Sequence, residues 1–259
     1  MSNGVDTRLG RRGFLKGVAI AAGASPLERH LFAASGAVTA AGITQSGSAH
    51  AADAVSATVS ELPAPAAGYE SLSPDEAGFV EAMVNIMCPP DHLTPNGTDC
   101  GLATYIDRQL AGGYGKGERL YMRGPWRQGK PQQGYQLPLT PEQFFKAGIA
   151  AADEAVRAKL GKGFVALPAE TADSYLHDLA ADRVKHARLS LASWFNELVY
   201  PLFVEACFGD PIYGGNAGKV FWKMIGYPGL PATHTRDMLE FRGKPYPGAQ
   251  APKSMVDFS

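Results

Sequence analysis

The residues that most suggest chemistry form a glycine-rich stretch, and that chemistry would be phosphate binding. Residues 112–117 read Gly-Gly-Tyr-Gly-Lys-Gly. A Walker-type loop needs a preceding strand, a glycine where Leu110 stands, and a Ser or Thr after the lysine, where this chain has Gly117. The preceding residues predict a helix instead. We therefore interpret the stretch as a flexible connector, and no Gly-x-Gly-x-x-Gly motif supports a resident FAD or NAD.

A second group has the residue types of a metal site. His177, Asp178, Asp182 and His186 fall within three turns of one predicted helix. Asp182 and His186 are four residues apart and share a face, but His177 and Asp182 are five apart and diverge. A metal needs convergent ligands with a second shell, so we interpret these residues as a solvated polar face.

Other catalytic patterns are missing from the sequence. It has no Gly-x-Ser-x-Gly elbow for a hydrolytic serine and no Cys-x-x-Cys-His for covalent haem. Three scattered cysteines are too few for an iron–sulfur cluster, which usually takes four. We expect no catalytic, cofactor-binding or metal-binding residue in this chain.

Two of the cysteines are candidates for a disulfide. Cys88 and Cys100 flank a loop rich in Pro, Asn and Gly. In an oxidising compartment, closing a loop of that length stabilises the fold by roughly 3 kcal/mol. If Cys88 and Cys100 form this disulfide, Cys207 is left as a small buried hydrophobe. Two unrelated thiols at positions 88 and 100 remain the alternative.

The charge excludes one class of partner. Residues 1–51 hold five of the 24 basic and two of the 25 acidic side chains, so the remainder has a formal charge of −4. Nucleic-acid affinity comes largely from basic side chains that release counterions, and no basic patch remains to supply it. We expect no nucleic-acid partner.

The first fifty residues have the features of an export signal. Arg11 and Arg12 are followed by Gly13 and then by Phe14, Leu15 and Lys16, which matches the twin-arginine pattern. Small and apolar residues come next, and Ala49-His50-Ala51 offers a cleavage site. We assign residues 1–51 to a twin-arginine signal peptide. The twin-arginine export route carries folded proteins, which often contain a cofactor.

Helical periodicity dominates the rest of the chain. Residues 52–72 are Ala/Ser/Pro-rich and predict a flexible linker, and residues 112–138, with Trp126 and Tyr135, show no periodicity. The fold class is mainly α, a single helical domain over 73–259 with long irregular loops. Capping signatures and apolar spacing predict helices over 73–87, 102–111, 140–160, 169–182, 189–207 (kinked or split at Pro201) and 216–224.

The segment 208–216 is dense in turn residues and aromatic neighbours. It contains Asp210, Tyr213, Gly214, Gly215 and Asn216 and is followed by Trp222. Two glycines permit backbone conformations with positive φ, and aromatic residues are common anchors of interfaces. The segment is either a tight loop pinned to the core or a surface that docks on a partner.

Five blocks of residues, in order along the chain, resemble the motifs of the gluconate 2-dehydrogenase subunit 3 family. They span about residues 75–230. The blocks are Tyr105–Gly112, Gly124–Trp126, Gln133–Pro141, Gly209–Asn216 and Trp222–Gly229.

The resemblance implies an accessory role outside the cytoplasm. Family members are small subunits of membrane-associated periplasmic dehydrogenases, in which a large flavoprotein holds FAD and a multihaem cytochrome c subunit passes electrons on. The small subunit carries the twin-arginine signal that exports the folded large subunit. The resemblance thus implies partners in that flavoprotein, that cytochrome and the twin-arginine export machinery.

We therefore predict a non-catalytic small subunit at the outer face of the inner membrane. The predicted partner interface consists of Trp126, Tyr135, Asp210, Tyr213, Gly214, Gly215, Asn216 and Trp222. Two alternatives remain open: an independent periplasmic oxidoreductase acting on polyols or sugar acids, and a solute-binding or structural envelope protein.

Overall fold

The computed structural model describes residues 68–259, apart from Gln128 and Ala232, and this part of the chain is mainly helical and contains no strand. The predicted signal peptide, with Arg11, Arg12, Phe14, Leu15 and Lys16, lies outside the described residues. The α-helices are α1 Pro74–Met87, α2 Leu102–Ala111, α3 Pro141–Leu160, α4 Ala169–Ala180, α5 Leu191–Trp194, α6 Tyr200–Phe208, α7 Val220–Ile225 and α8 Thr235–Glu240.

Two helices begin where local sequence signals predict. Ser73 accepts a hydrogen bond from the Glu76 N–H, and the Glu76 side chain accepts one from the Ser73 N–H, so a capping box starts α1. Thr140 and Gln143 form the same box at α3. Gly161 ends α3 at a φ of 70°, a left-handed conformation that glycine adopts without steric cost.

Trp194 lies at the centre of the core. It is fully buried, and its indole N–H donates to the Phe145 carbonyl at 3.1 Å. The rings of Phe79 and Phe145 meet its ring with centroids 6.4 and 6.1 Å away. A Cβ on Gly148 would collide with the indole, so this glycine allows α3 to pack directly on Trp194.

The segment that contains Trp194 is a helix in three parts. Between α5 and α6, residues Phe195–Val199 form a π-helical turn. Pro201 follows in the first turn of α6, where its missing N–H costs no hydrogen bond inside that helix. The predicted helix over 189–207 is thus present, and it is divided just before the proline.

The domain begins earlier than the predicted boundary at residue 73. Asp107 of α2 is 2% exposed, and its carboxylate accepts from the backbone N–H groups of Glu70, Ser71 and Leu72 at 2.7–2.9 Å. Residues 70–72, which the sequence analysis assigns to the linker, are therefore held against α2. This anchor joins residues 35–37 positions apart, which local sequence signals do not reveal.

The C-terminal segment folds back on the domain. Gly229 pairs with Lys253 in an isolated bridge; the Leu230 N–H donates to the Lys253 carbonyl at 2.7 Å, and the Lys253 N–H donates to the Pro228 carbonyl at 3.0 Å. These bonds close residues 230–252 into a loop, which contains α8. In the described part of the chain, no helix has both the length and the apolar content needed to span a bilayer.

Candidate partner-docking surface

The loop over 208–216 is built by its own polar side chains. Asp210 begins the 3-10 turn Pro211–Tyr213 by accepting from the Ile212 N–H at 3.0 Å. Gly214 ends that turn at a φ of 98°, a conformation that strains any residue with a Cβ. A Cβ on Gly215 would meet the Ala206 carbonyl, so this glycine lets the loop pass close to α6, whereas Gly214 lies against Thr104 and Arg108 of α2.

Asn216 and Trp222 fasten this loop to the core. Asn216 is fully buried; its amide donates to the Gly209 carbonyl at 3.2 Å and accepts from the Phe221 N–H at 3.0 Å. Trp222 is 5% exposed, and its indole N–H donates to the Phe208 carbonyl at 2.8 Å. Asn216 does not start the following helix as predicted, because α7 begins after Lys219. In the isolated chain these two side chains serve the fold of the loop.

Tyr213 points the other way and is 50% exposed. It lies near Tyr105 of α2, which is 7% exposed and whose hydroxyl donates to Glu205 of α6 at 3.4 Å. Tyr114, which follows α2 and is 47% exposed, also lies near Tyr105. Gly101 and Gly214 allow this approach, since a Cβ on Gly101 would collide with the Gly214 carbonyl. We call Tyr105, Tyr114, Tyr213 and Glu205 the tyrosine surface.

Two phenols of the tyrosine surface, Tyr105 and Tyr114, have a raised pKa and share one neighbouring carboxylate, Glu205. Burial, followed by the charge of Glu205, raises the pKa of Tyr105 to about 12. The same two causes, in the same order, raise the pKa of Tyr114 to about 12. Aromatic rings with a polar tip give large contact area at low entropy cost, which is why such residues anchor interfaces. This arrangement suits contact with another protein.

The polar groups elsewhere do not converge on one centre. On and beyond α4, Asp178 pairs with Arg183 and Lys159, Asp182 with Lys185, and His186 lies 3.5 Å from Glu154. The described residues include no cluster of three or more His, Cys, Asp or Glu side chains with the geometry of a metal site. The predicted polar face is thus a set of separate surface contacts.

A groove of about 940 Å³ lies between the start of α1 and α3. Its charged side chains are already engaged: Asp153 accepts from Arg157 at 2.6 Å and from the Phe164 N–H at 2.8 Å, and Lys146 bonds the Ser71 carbonyl and Glu142. Because these groups bond one another, the groove lacks the convergent polar set that would orient a small ligand.

Comparison with known families decides the identity. The family model described as gluconate 2-dehydrogenase subunit 3 matches residues 74–229. The chain belongs to the gluconate 2-dehydrogenase subunit 3 family. Comparison with curated proteins and with solved structures gave no match. A third subunit belongs by description to a multi-subunit enzyme, so partner subunits are implied.

The structure brings three of the family blocks together at the tyrosine surface. Tyr105 comes from the first block and Tyr213 from the fourth. Tyr135, from the third, packs on Phe144 with centroids 4.6 Å apart, and burial followed by the charge of Tyr114 raises its pKa to about 12. Trp126 is half-buried, with its ring against the backbone of Gly124. The predicted role of these residues in a partner interface stays a prediction.

Sequence reasoning missed Glu205, Tyr105 and Tyr114 as parts of this surface. Tyr105 and Glu205 are 100 residues apart, and nothing local relates them. Tyr105 did carry a signal, since it opens the first family block, but its helical spacing marks it equally well as a core residue.

The candidate disulfide partners lie close together. Cys88 ends α1, Cys100 precedes α2, and both are buried. The two sulfurs approach the same atom, the Pro95 carbonyl oxygen, at 3.7 and 3.6 Å. The disulfide stays a prediction, with its two cysteines at the two ends of one loop.

Proposed function

We propose that the chain is the non-catalytic small subunit of a periplasmic, membrane-associated, FAD-dependent dehydrogenase of the gluconate 2-dehydrogenase type. It escorts the folded flavoprotein through twin-arginine export and stabilises it afterwards. Membership of the family carries the proposal, because the chain is by description one subunit of a larger enzyme. The FAD belongs to the large subunit and the haem c to the cytochrome subunit.

Two features of the chain support this division of labour. Arg11 and Arg12, in register with Phe14, Leu15 and Lys16, mark a route that carries folded proteins. On the tyrosine surface, Tyr114 and Tyr213 are half-exposed aromatic anchors, and they lie beside the buried Tyr105. A folded-protein signal joined to a docking surface is what an escort needs.

The export signal gives the direct test. The double substitution Arg11→Lys and Arg12→Lys keeps the charge and removes the guanidinium pair. We expect the dehydrogenase activity of the partner flavoprotein to stay in the cytoplasm, as measured by fractionation and an artificial electron acceptor. Arg8→Lys is the matched control and leaves export unchanged. Periplasmic activity that persists in the double variant refutes the escort role.

A second measurement separates the proposal from an independent enzyme. The purified chain, free of flavoprotein, is assayed with gluconate and an artificial acceptor. We expect no turnover above buffer. Turnover by the isolated chain would assign the chemistry to this subunit and overturn the non-catalytic role.

A further inference from the structure

The C-terminal turn Met255–Phe258 packs beside the turn Pro211–Tyr213 of the fourth family block. Polar contacts hold it there. The Met255 N–H donates to Asp210 at 3.0 Å, and Lys219 reaches both carboxylate oxygens of Asp257 at 2.5–2.6 Å. Ser254, fully buried, forms a capping box with Asp257. The backbone of this turn is therefore fixed without any apolar side chain entering the core.

The apolar side chains of the two turns face outward. Phe258 is 70% exposed, and four other side chains of the turns, together with Phe208 at the end of α6, are between 37% and 50% exposed. Single exposed apolar side chains are common on protein surfaces, so the distinctive feature here is that six lie on adjoining segments. We call this group the C-terminal patch: Phe208, Ile212, Tyr213, Met255, Val256 and Phe258.

The carboxylates near the patch are already engaged. Asp257 is neutralised by Lys219, and Asp210 accepts from the backbone N–H groups of Ile212 and Met255. An apolar partner surface can thus cover the patch without leaving a carboxylate unpaired, which is the costly event at an interface. Exposed apolar side chains grouped on two adjoining turns of fixed backbone are typical of a protein-binding site.

We infer that the C-terminal patch binds the large dehydrogenase subunit and selects which flavoprotein this chain escorts. The inference rests on the proposed function. Tyr213 belongs to both the patch and the tyrosine surface, so the patch extends that surface. The family match ends at Gly229, whereas Met255–Phe258 lie beyond it. A docking surface that combines residues from the family region with a segment outside that region is suited to distinguishing between related partner proteins.

The charges favour a protein partner over a membrane. Three carboxylates (Asp210, Asp257 and Glu205) lie around the patch, against two cations, Lys219 and the Arg108 guanidinium beside Gly214. Binding to anionic lipid requires an excess of lysine and arginine beside the apolar groups.

The test compares two pairs of exposed apolar residues in the same C-terminal segment. Val256→Ser with Phe258→Ser lies in the patch. Met238→Ser with Leu239→Ser is the matched control, because these side chains of α8 are 66% and 75% exposed and lie outside the patch. The binding of each purified full chain to the partner flavoprotein is measured by biolayer interferometry. We expect the patch variant to bind at least about tenfold more weakly and the control within about twofold of wild type.

Melting temperatures of the isolated chains check folding. Phe258→Lys is a second patch variant, which keeps a long side chain at an exposed position and places a charge where an apolar partner surface would lie. It too must weaken binding. Equal binding by wild type and by both patch variants overturns this inference and leaves the proposed function standing. A wild-type chain that does not bind the flavoprotein overturns the proposed function itself.

Binding of either of two other partners to the C-terminal patch, a second copy of this chain or a membrane, would also overturn the inference. Sedimentation of the isolated chain reveals a second copy if wild type dimerises and the patch variants do not. Flotation with vesicles of phosphatidylcholine and phosphatidylglycerol reveals a membrane if only wild type floats.

Discussion

Asp107 connects the start of the domain to α2 through a single carboxylate. Three backbone N–H groups donate to it, and it is almost wholly buried. Asp107→Asn leaves one oxygen and replaces the other with an NH₂ group, which repels the N–H groups that it faces. We expect the free energy of unfolding to fall by about 2 kcal/mol, since a buried unpaired donor costs roughly 1–3 kcal/mol. Chemical denaturation of the mature chain measures this.

Asp99→Asn is the control for that substitution. It makes the same change of charge at an exposed position in the loop before α2. Its unfolding curve should match wild type within about 0.5 kcal/mol. If both variants lose equal stability, the effect is one of net charge and the anchor at Asp107 is not responsible.

Single residues were predictable only where their partners are close in sequence. Ser73 and Thr140 cap helices through residues three positions ahead, and both capping boxes are present. Asp107 and Asn216 are polar residues that the fold buries, and Asp107 meets its partners only after the chain has returned to α2. Burial of a polar side chain is a tertiary event, so helical spacing carries no sign of it.

At the scale of elements, the predicted helices with clear apolar spacing are all present. The sequence predicts no helix or turn in the C-terminal segment, where the structure has several. Residues 230–259 lack a periodic pattern, and their short turns are fixed by distant contacts. Examples are the bridge from Gly229 to Lys253 and the bond from Met255 to Asp210. The π-helical turn at Phe195–Val199 was not predicted either, because Pro201 indicates that the helix is interrupted but does not indicate the geometry of the interruption.

The loop over residues 230–252, which the bridge between Gly229 and Lys253 closes, is held by contacts of His234 that depend on pH. We call these contacts the latch. His234 contacts Asp237 through Nδ1 at 3.1 Å and the Gly229 carbonyl through Nε2 at 3.2 Å, and the Tyr246 hydroxyl donates to Asp237. The bond to Asp237, then the bond to Gly229, raises the pKa of His234 above its usual 6.5. A raised pKa means that the latch is fully stabilising below pH 6.5 and weakens as the pH rises through the value in the folded protein.

We therefore expect residues 235–250 to exchange their amide hydrogens more readily, by roughly several-fold, at pH 8 than at pH 6, after correction for the intrinsic exchange rate. Hydrogen–deuterium exchange with mass spectrometry measures this. His234→Gln, which cannot be protonated, should abolish the difference between the two pH values. His92→Gln, at an exposed position before α2, should retain it. A wild-type loop with the same protection at both pH values would contradict the latch.

At the scale of the whole molecule, segments that are far apart in sequence meet on one surface. The predicted interface residues lie mainly in two loops, around Tyr135 and around Tyr213, and no local pattern in the sequence connects these loops. In the structure, α2 packs on α6, and this packing places Tyr105 and Glu205 between the two loops. Packing of two buried helix faces sets that relation, and local patterns do not specify which helices pair.

If the loops form one docking surface, substitutions in each should weaken the same binding event without unfolding the chain. Tyr114 and Tyr213 are about half exposed, so Tyr114→Ser and Tyr213→Ser remove contact area for a partner while taking little from the core. We expect each to weaken binding to the flavoprotein about tenfold, the effect of losing an aromatic anchor, with a nearly unchanged melting temperature.

Val165→Ser is the control, because this 61% exposed side chain lines the groove beside α1 and lies outside the surface. Weakening by one tyrosine variant but not the other would confine docking to a single loop, and equal weakening by Val165→Ser would remove any special role for the tyrosines. Tyr213→Phe refines the result: retained binding assigns the contact to the ring, and lost binding assigns it to the hydroxyl.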